Sequence, residues 1–252
     1  MELWSAEHAK TLPPVVALMI VIAVILRAAI GKRDIKIRMI PFQIVACLLF
    51  ALEVGKQAVS LMKGYDLYHL PFHFCSLFIF MMPVMAFYKG KHRAAVTAIT
   101  SAICMATTFL TLVYPCLIYG AGDITNSFGS YFSFHTVVFH NLVIFGLILI
   151  LALDLHTPKP KETKAVIVFT ICFCVVSATM AQLLQTNFNN FYSCNIPPLE
   201  SLRQSIQGIL GYGITQALYI VIVTILDILF VFGSYWLYRL LRSIITKKER
   251  VA

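Results

Sequence analysis

The sequence predicts an all-α membrane protein, a polytopic bundle of seven transmembrane helices forming one domain over residues 1–252. Three observations lead there. Hydrophobic residues make up 60% of the chain and charged residues 12%, and the mean hydropathy of +0.84 is far above that of a chain with a water-facing surface. Apolar runs of the roughly 20 residues that a bilayer crossing requires recur along the whole length. Basic residues fall in short clusters between those runs. The formal net charge of +9 therefore reads as a topology signal, with no nucleic-acid partner expected.

The first run, about 12–31, follows Thr11 and opens on Pro13-Pro14, a pair suited to a helix start. It is too long for a signal-peptide core and lacks a small-residue cleavage pattern, so it is expected to stay in the mature protein. The second, about 39–62, ends at the loop from Gly64 to Asp66. The third, about 70–88, stops at Lys89, Lys91 and Arg93. The fourth, about 94–115, gives way to the loop from Gly120 to Ser127. The fifth, about 129–153, is followed by Lys159, Lys161 and Lys164. The sixth, about 165–185, runs into the long Asn-, Ser- and Pro-containing loop from Asn187 to Gln204, and the seventh, about 211–237, precedes a basic C-terminus.

Orientation follows from charge. Lys32, Arg33, Lys36 and Arg38, the clusters after the third and fifth spans, and Arg239, Arg242, Lys247, Lys248 and Arg250 all fall on one side. They comprise fifteen of the 20 lysines and arginines. By the positive-inside rule that side is the cytoplasm, which puts the N-terminus outside and predicts a multi-pass protein of the cell membrane. Membrane lipids are the expected partners, and no cofactor or metal is expected.

Ionisable side chains within spans are costly and usually face the bundle interior with a partner. Glu53, Lys56 and Gln57 in the second span, His73 and Cys75 in the third, and His135 and His140 in the fifth share the outer half. In the sixth, Gln182, Gln185, Thr186 and Asn189 form a stripe adjoining Asn187. Ser133, Thr136 and His140 lie on one face of the fifth helix while His135 points elsewhere, so His140 is the stronger site candidate. The same groups also serve as ordinary interhelical glue: Glu53 and Lys56 can neutralise each other on one face, and Arg27 can pair with Asp227.

For chemistry, a thiol near an imidazole supplies a nucleophile and its base. Cys75 and His140 are the expected catalytic pair, although by rise alone they lie roughly 8 Å and 16 Å below the outer surface. Glu53, Lys56, His73, His135, Gln182, Gln185 and Asn187 are the expected substrate-binding residues. A metal set of Asp66, His69 and His73 is weakened by Pro71, which interrupts the helix that would align the histidines. Cys116 and Cys194 both fall on the oxidising outer side, where a disulfide between them is chemically allowed.

The segment His69-Leu-Pro-Phe-His73-Phe-Cys75-Ser-Leu, followed by Phe139-His140-Asn-Leu-Val and by Gln185-Thr-Asn-Phe, resembles the YwaF-type family of bacterial integral membrane proteins. The resemblance extends in order and spacing over most of the chain and implies a compact seven-helix bundle. That family is in turn distantly similar to eukaryotic membrane acyltransferases acting on ether phospholipids, which implies acyl transfer between membrane lipids through Cys75 and His140. The alternative is a transporter or binding protein that holds a polar solute or lipid headgroup among Glu53, Lys56, His73, His140 and the Gln/Asn stripe.

Overall fold

The computed structural model describes residues 4–120 and 122–251, with side chains as far as 245. Ala121, within the predicted 120–127 loop, and the side chains of Lys247, Lys248 and Arg250 lie outside the described residues. The regular structure among the described residues is helical: α1 Ala6–Ile30, α2 Ile35–Met62, α3 Leu77–Phe87, α4 Arg93–Val113, α5 Pro115–Ile118, α6 Tyr131–Ala152, α7 Thr163–Leu184, α8 Pro197–Leu210 and α9 Tyr212–Val251.

Among the described residues, six segments are long and apolar enough to cross a bilayer: Ala6–Ile30, Ile35–Met62, Arg93–Val113, Tyr131–Ala152, Pro160–Leu184 and Tyr212–Ile245. The predicted third run differs. Pro71 lacks an N–H and drives Leu70 into an extended conformation (φ −61°, ψ 147°). Helical structure therefore begins only at Phe74, and the stretch Phe74–Phe87 rises about 21 Å against a hydrocarbon core of roughly 30 Å. The first helix also departs from expectation. Ser5 accepts the His8 N–H and His8 closes a capping box, so the helix starts at Ala6 and carries Pro13 and Pro14 inside it.

Helix α4 occupies the centre, with 72% of its apolar window buried inside the bundle. Ala98, Ala102, Ala106, Thr100, Ser101, Cys104, Thr107 and Thr111 keep it narrow, so α3, α6, α7 and α9 all reach it. Small residues at a helix interface permit close backbone approach where no hydrophobic force distinguishes partner from lipid.

The last carbonyls of α6 have no intrahelical donor. Arg27 of α1 reaches Ala152 O, Arg38 of α2 donates to Leu153 O at 2.8 Å, and Arg242 of α9 donates to Leu151 O at 3.3 Å. Asp154, at φ +54°, receives Arg27 at 3.3 Å and also Arg242. Arg27 is therefore engaged at Asp154, not at Asp227 as expected; Asp227 takes its hydrogen bonds from Asn189 and Cys174. Beside this junction Glu162 Oε2 meets His156 at 3.2 Å and accepts from Tyr235 at 2.9 Å and Lys159 N at 2.8 Å, while His156 Nδ1 meets Ser101 at 3.1 Å. Gln43, near the start of α2, donates to Ala86 O at the end of α3 at 3.1 Å. The basic segments thus share one end of the bundle.

At the opposite end the predicted 187–204 loop does two different things. Residues 186–194 fold back inward, burying Phe188 and Phe191 completely, and residues 197–210 form α8. Non-helical backbone at membrane depth is tolerated only where protein satisfies it. Here Phe191 O accepts from both Gln182 and Gln216 at 2.9 Å, and Asn190 O accepts from Tyr219 at 2.6 Å. Asn189 Nδ2 donates to Asp227 Oδ2 at 2.7 Å. The left-handed backbone at Gln185, Asn189 and Asn190 makes the turns.

Replacing Gln182 and Gln216 together by Leu should strand the Phe191 carbonyl, at a cost of about 1–3 kcal/mol for the buried acceptor. Each single change should cost less, because the other amide remains. Thermal unfolding of the purified variants in detergent checks this, and additive single and double effects would refute the shared-acceptor account.

Candidate functional site

The site grows from the close approach of α2 and α6. A Cβ at Gly55 would lie 2.0 Å from the Tyr131 hydroxyl, so only glycine admits Tyr131, whose hydroxyl donates to Leu52 O at 2.9 Å. That contact brings His135, one helical turn on, to Glu53. Glu53 is 6% exposed and its carboxylate meets three donors. Oε1 takes Lys56 Nζ at 2.8 Å and Gln57 Nε2 at 2.7 Å, and Oε2 meets His135 Nε2 at 3.1 Å. A buried carboxylate survives only when so partnered.

The loop after α2 closes over this group. Gln57 Nε2 also donates to His69 O at 2.8 Å, and its Oε1 accepts from Tyr65 at 2.6 Å. His69 Nδ1 meets Ser60 Oγ at 2.7 Å, its ring stacks on Phe132, and burial pushes its pKa below the ordinary imidazole value. His73 Nε2 donates to Tyr68 O at 3.0 Å, with its ring against Tyr68 and Phe188. Asp66 is occupied in accepting Tyr68 N at 2.9 Å. The residues of the proposed metal set thus have separate partners, and among the described residues no three His, Cys, Asp or Glu side chains converge.

Lys56 organises what surrounds it. Its ammonium acts electrostatically on His69, His73, Cys75 and His140 as well as on Glu53. Cys75 lies in the first turn of Phe74–Phe87, partly buried beside Phe72 and Phe74. A helix N-terminus is one of the surroundings that favour a thiolate. His140 hydrogen-bonds Thr136 O through Nδ1 at 2.7 Å. Because a carbonyl only accepts, Nδ1 carries the proton and Nε2 of the neutral ring carries the lone pair.

Glu53, Lys56, His73, Cys75, His135 and His140 are thereby gathered into one region. No hydrogen bond joins Cys75 to His140. His135, expected among the binding residues, meets the central carboxylate, while His140 packs edge-on against Tyr119. Periodicity along α6 gives no sign of the first contact, because its partner stands on α2. The Gln/Asn stripe is elsewhere. Gln182 secures Phe191 O and accepts from Tyr212 at 3.2 Å. Gln185 caps α7 in left-handed conformation with its side chain exposed, and Asn187 Oδ1 accepts Tyr192 N and Ser193 N at 3.1 and 3.0 Å. These residues hold the re-entrant backbone.

Ser60 and Tyr65 join the network from outside the expected residues; Ser60 carries a helical signal, three residues after Gln57 and seven after Glu53, whereas Tyr65 lies beyond the end of α2. The thiol–imidazole contact that the fold does form, Cys116 Sγ to His8 Nδ1 at 3.6 Å, is likewise outside them. Cys116 and Cys194, for which a disulfide was chemically allowed, are both free thiols, the first beside α1 and the second beside Tyr219 of α9.

The sequence profile of the TMEM164 family matches residues 3–242, nearly the entire chain. No curated protein and no solved structure matches it.

Removing the charge of Glu53 by Glu53→Ala should destabilise the bundle by about 3–5 kcal/mol, because Lys56 is left buried without its counter-ion. Glu53→Ala/Lys56→Met should recover most of that loss. The measurement is thermal unfolding in detergent, and a double variant no better than the single one would rule out the pairing as the source of stability.

Proposed function

The chain belongs to the TMEM164 family and is a multi-pass membrane protein, and on that premise we propose that it transfers acyl groups between membrane lipids through Cys75 and His140. The observation that carries the reading is the setting of Cys75, in the first turn of Phe74–Phe87 and two residues from His73, whose ring packs on Tyr68 and Phe188. The fixed tautomer of His140 supports it, since Nε2 is left as the basic nitrogen.

In the first half-reaction His140 Nε2 takes the Cys75 proton, and the thiolate attacks an ester carbonyl of the donor phospholipid. The ester C–O bond breaks, and the departing glycerol oxygen recovers the proton from His140, leaving a Cys75 thioester and a lysolipid. In the second half the hydroxyl of an acceptor lysolipid gives its proton to His140 Nε2 while its oxygen attacks the thioester. The C–S bond breaks and the thiolate is reprotonated. Glu53 holds Lys56 and His135 in place, and Lys56 is the group suited to a headgroup phosphate. Contacts between nucleophile and base of this kind close when substrate binds.

The same proposal includes the seventh crossing and the orientation. Counting Phe74–Phe87 as a short crossing puts the N-terminus outside and all basic segments in the cytoplasm, in accord with the hydrogen bonds that gather those segments at one end. It also agrees with the resemblance of the Cys75 and His140 motifs to the YwaF-type family. The site then opens to the outer leaflet.

Cys75→Ala should lower acyl transfer by about 10³-fold or more while leaving the unfolding temperature nearly unchanged, because a group acting as nucleophile is lost outright. The assay follows an isotopically labelled acyl chain from phospholipid to lysolipid in proteoliposomes. Intact-protein mass spectrometry should show an acyl adduct on the native chain that hydroxylamine removes. If the protein carries a solute or headgroup instead, Cys75→Ala will be nearly silent and Lys56→Met severe.

A further inference from the structure

Helix α8, Pro197–Leu210, has chemistry that the bundle interior does not use. None of its residues is buried, and among the long helices it packs chiefly against α9. Leu199, Leu202, Ile206, Ile209 and Leu210 are all exposed, Ile209 at 82% and Leu202 at 56%. Their spacing places them on one stripe of the helix. The helix is short for a bilayer crossing, about 21 Å at 1.5 Å per residue, and Glu200, Arg203, Gln204 and Gln207 make it too polar for one.

The other side of α8 is tied to protein. Arg203 donates to Glu200 at 2.6 and 2.8 Å, and its guanidinium holds the Glu200 carboxyl down at about 2. Glu200 Oε2 accepts Cys194 N at 2.9 Å, and Arg203 Nη1 donates to Gln216 Oε1 at 2.8 Å. Those bonds fix which way the apolar stripe faces. Gly211, at φ +78°, then turns the chain into α9, whose first turns expose Tyr212, Ile214, Leu218, Val221 and Ile222. Those residues belong to a helix long and apolar enough to span the membrane, and α8 joins it directly through Gly211.

We propose that α8 is an in-plane helix of the membrane interface, seated where headgroups meet acyl chains, with its stripe on the acyl chains of the leaflet into which α7 and α9 emerge. Its occupant is the phospholipid surface itself. The Glu200–Arg203 pair cancels its own charge, so zwitterionic lipid suffices and salt leaves the seating unchanged. The helix also roofs the re-entrant segment 186–194 through Cys194 and Gln216.

The test uses the full chain in phosphatidylcholine vesicles. Leu202→Trp on the stripe and Gln204→Trp on the water side are compared, each read as difference emission against the parent with its 2 natural tryptophans. Acyl-brominated phosphatidylcholine should quench the added emission of Leu202→Trp several-fold more than that of Gln204→Trp, and aqueous iodide should show the reverse order, at low and high salt alike. Ile209→Trp, also on the stripe, should repeat the Leu202→Trp result. Equal iodide quenching at both positions would put α8 in water and overturn the proposal. Protection of Leu202→Trp and Ile209→Trp from both quenchers would assign the stripe to a protein neighbour, such as a second copy, and overturn it equally.

Discussion

Lipid tails neither donate nor accept hydrogen bonds, and every irregular part of this protein is arranged around that fact. The C-terminal carbonyls of α6 draw arginines from α1, α2 and α9. The re-entrant segment draws Gln182, Gln216 and Tyr219 from α7 and α9. In both places long side chains on regular helices complete backbone that has left the helix. The same constraint keeps the polar residues of the two ends from being interchangeable with lipid-facing positions, because each is committed to a particular carbonyl or carboxylate.

The candidate site obeys this rule at its most demanding, with an acid and a base inside one apolar bundle. Glu53 is held by Lys56, Gln57 and His135, and a glycine at 55 is what lets Tyr131, and with it His135, come close enough. The hydrogen-bonded carboxylate fixes Lys56, which lies within electrostatic reach of Cys75 and His140. Around it, the narrow central helix α4 allows the other helices to converge.

Much of the fold was legible in sequence because hydropathy over a long run reports the solvent directly, whatever the neighbours. Six of the long apolar runs are helices, although the first begins at Ala6 and the last continues to Val251, well past the expected end near 237. The third run was not legible as it folds, since its composition is apolar throughout and only Pro71 marks the delayed helix start. The Asn187–Gln204 loop read as one polar connection because Asn, Ser and Pro obscure both the buried Phe188 and Phe191 and the amphipathic period of α8.

What the sequence determined by itself was the solvent, the clustering of basic residues between runs, and the set of costly polar residues within the runs. Pairing was left to the tertiary structure. Arg27 finds Asp154 rather than Asp227, His135 rather than His140 meets Glu53, and Cys116 lies by His8 rather than by Cys194. Periodicity gives the face of a helix on which a side chain stands, but a hydrogen bond also needs to know which helix stands opposite and at what depth. Those two quantities depend on how α4 seats its neighbours and how far the re-entrant segment descends, and no local stretch of residues contains them.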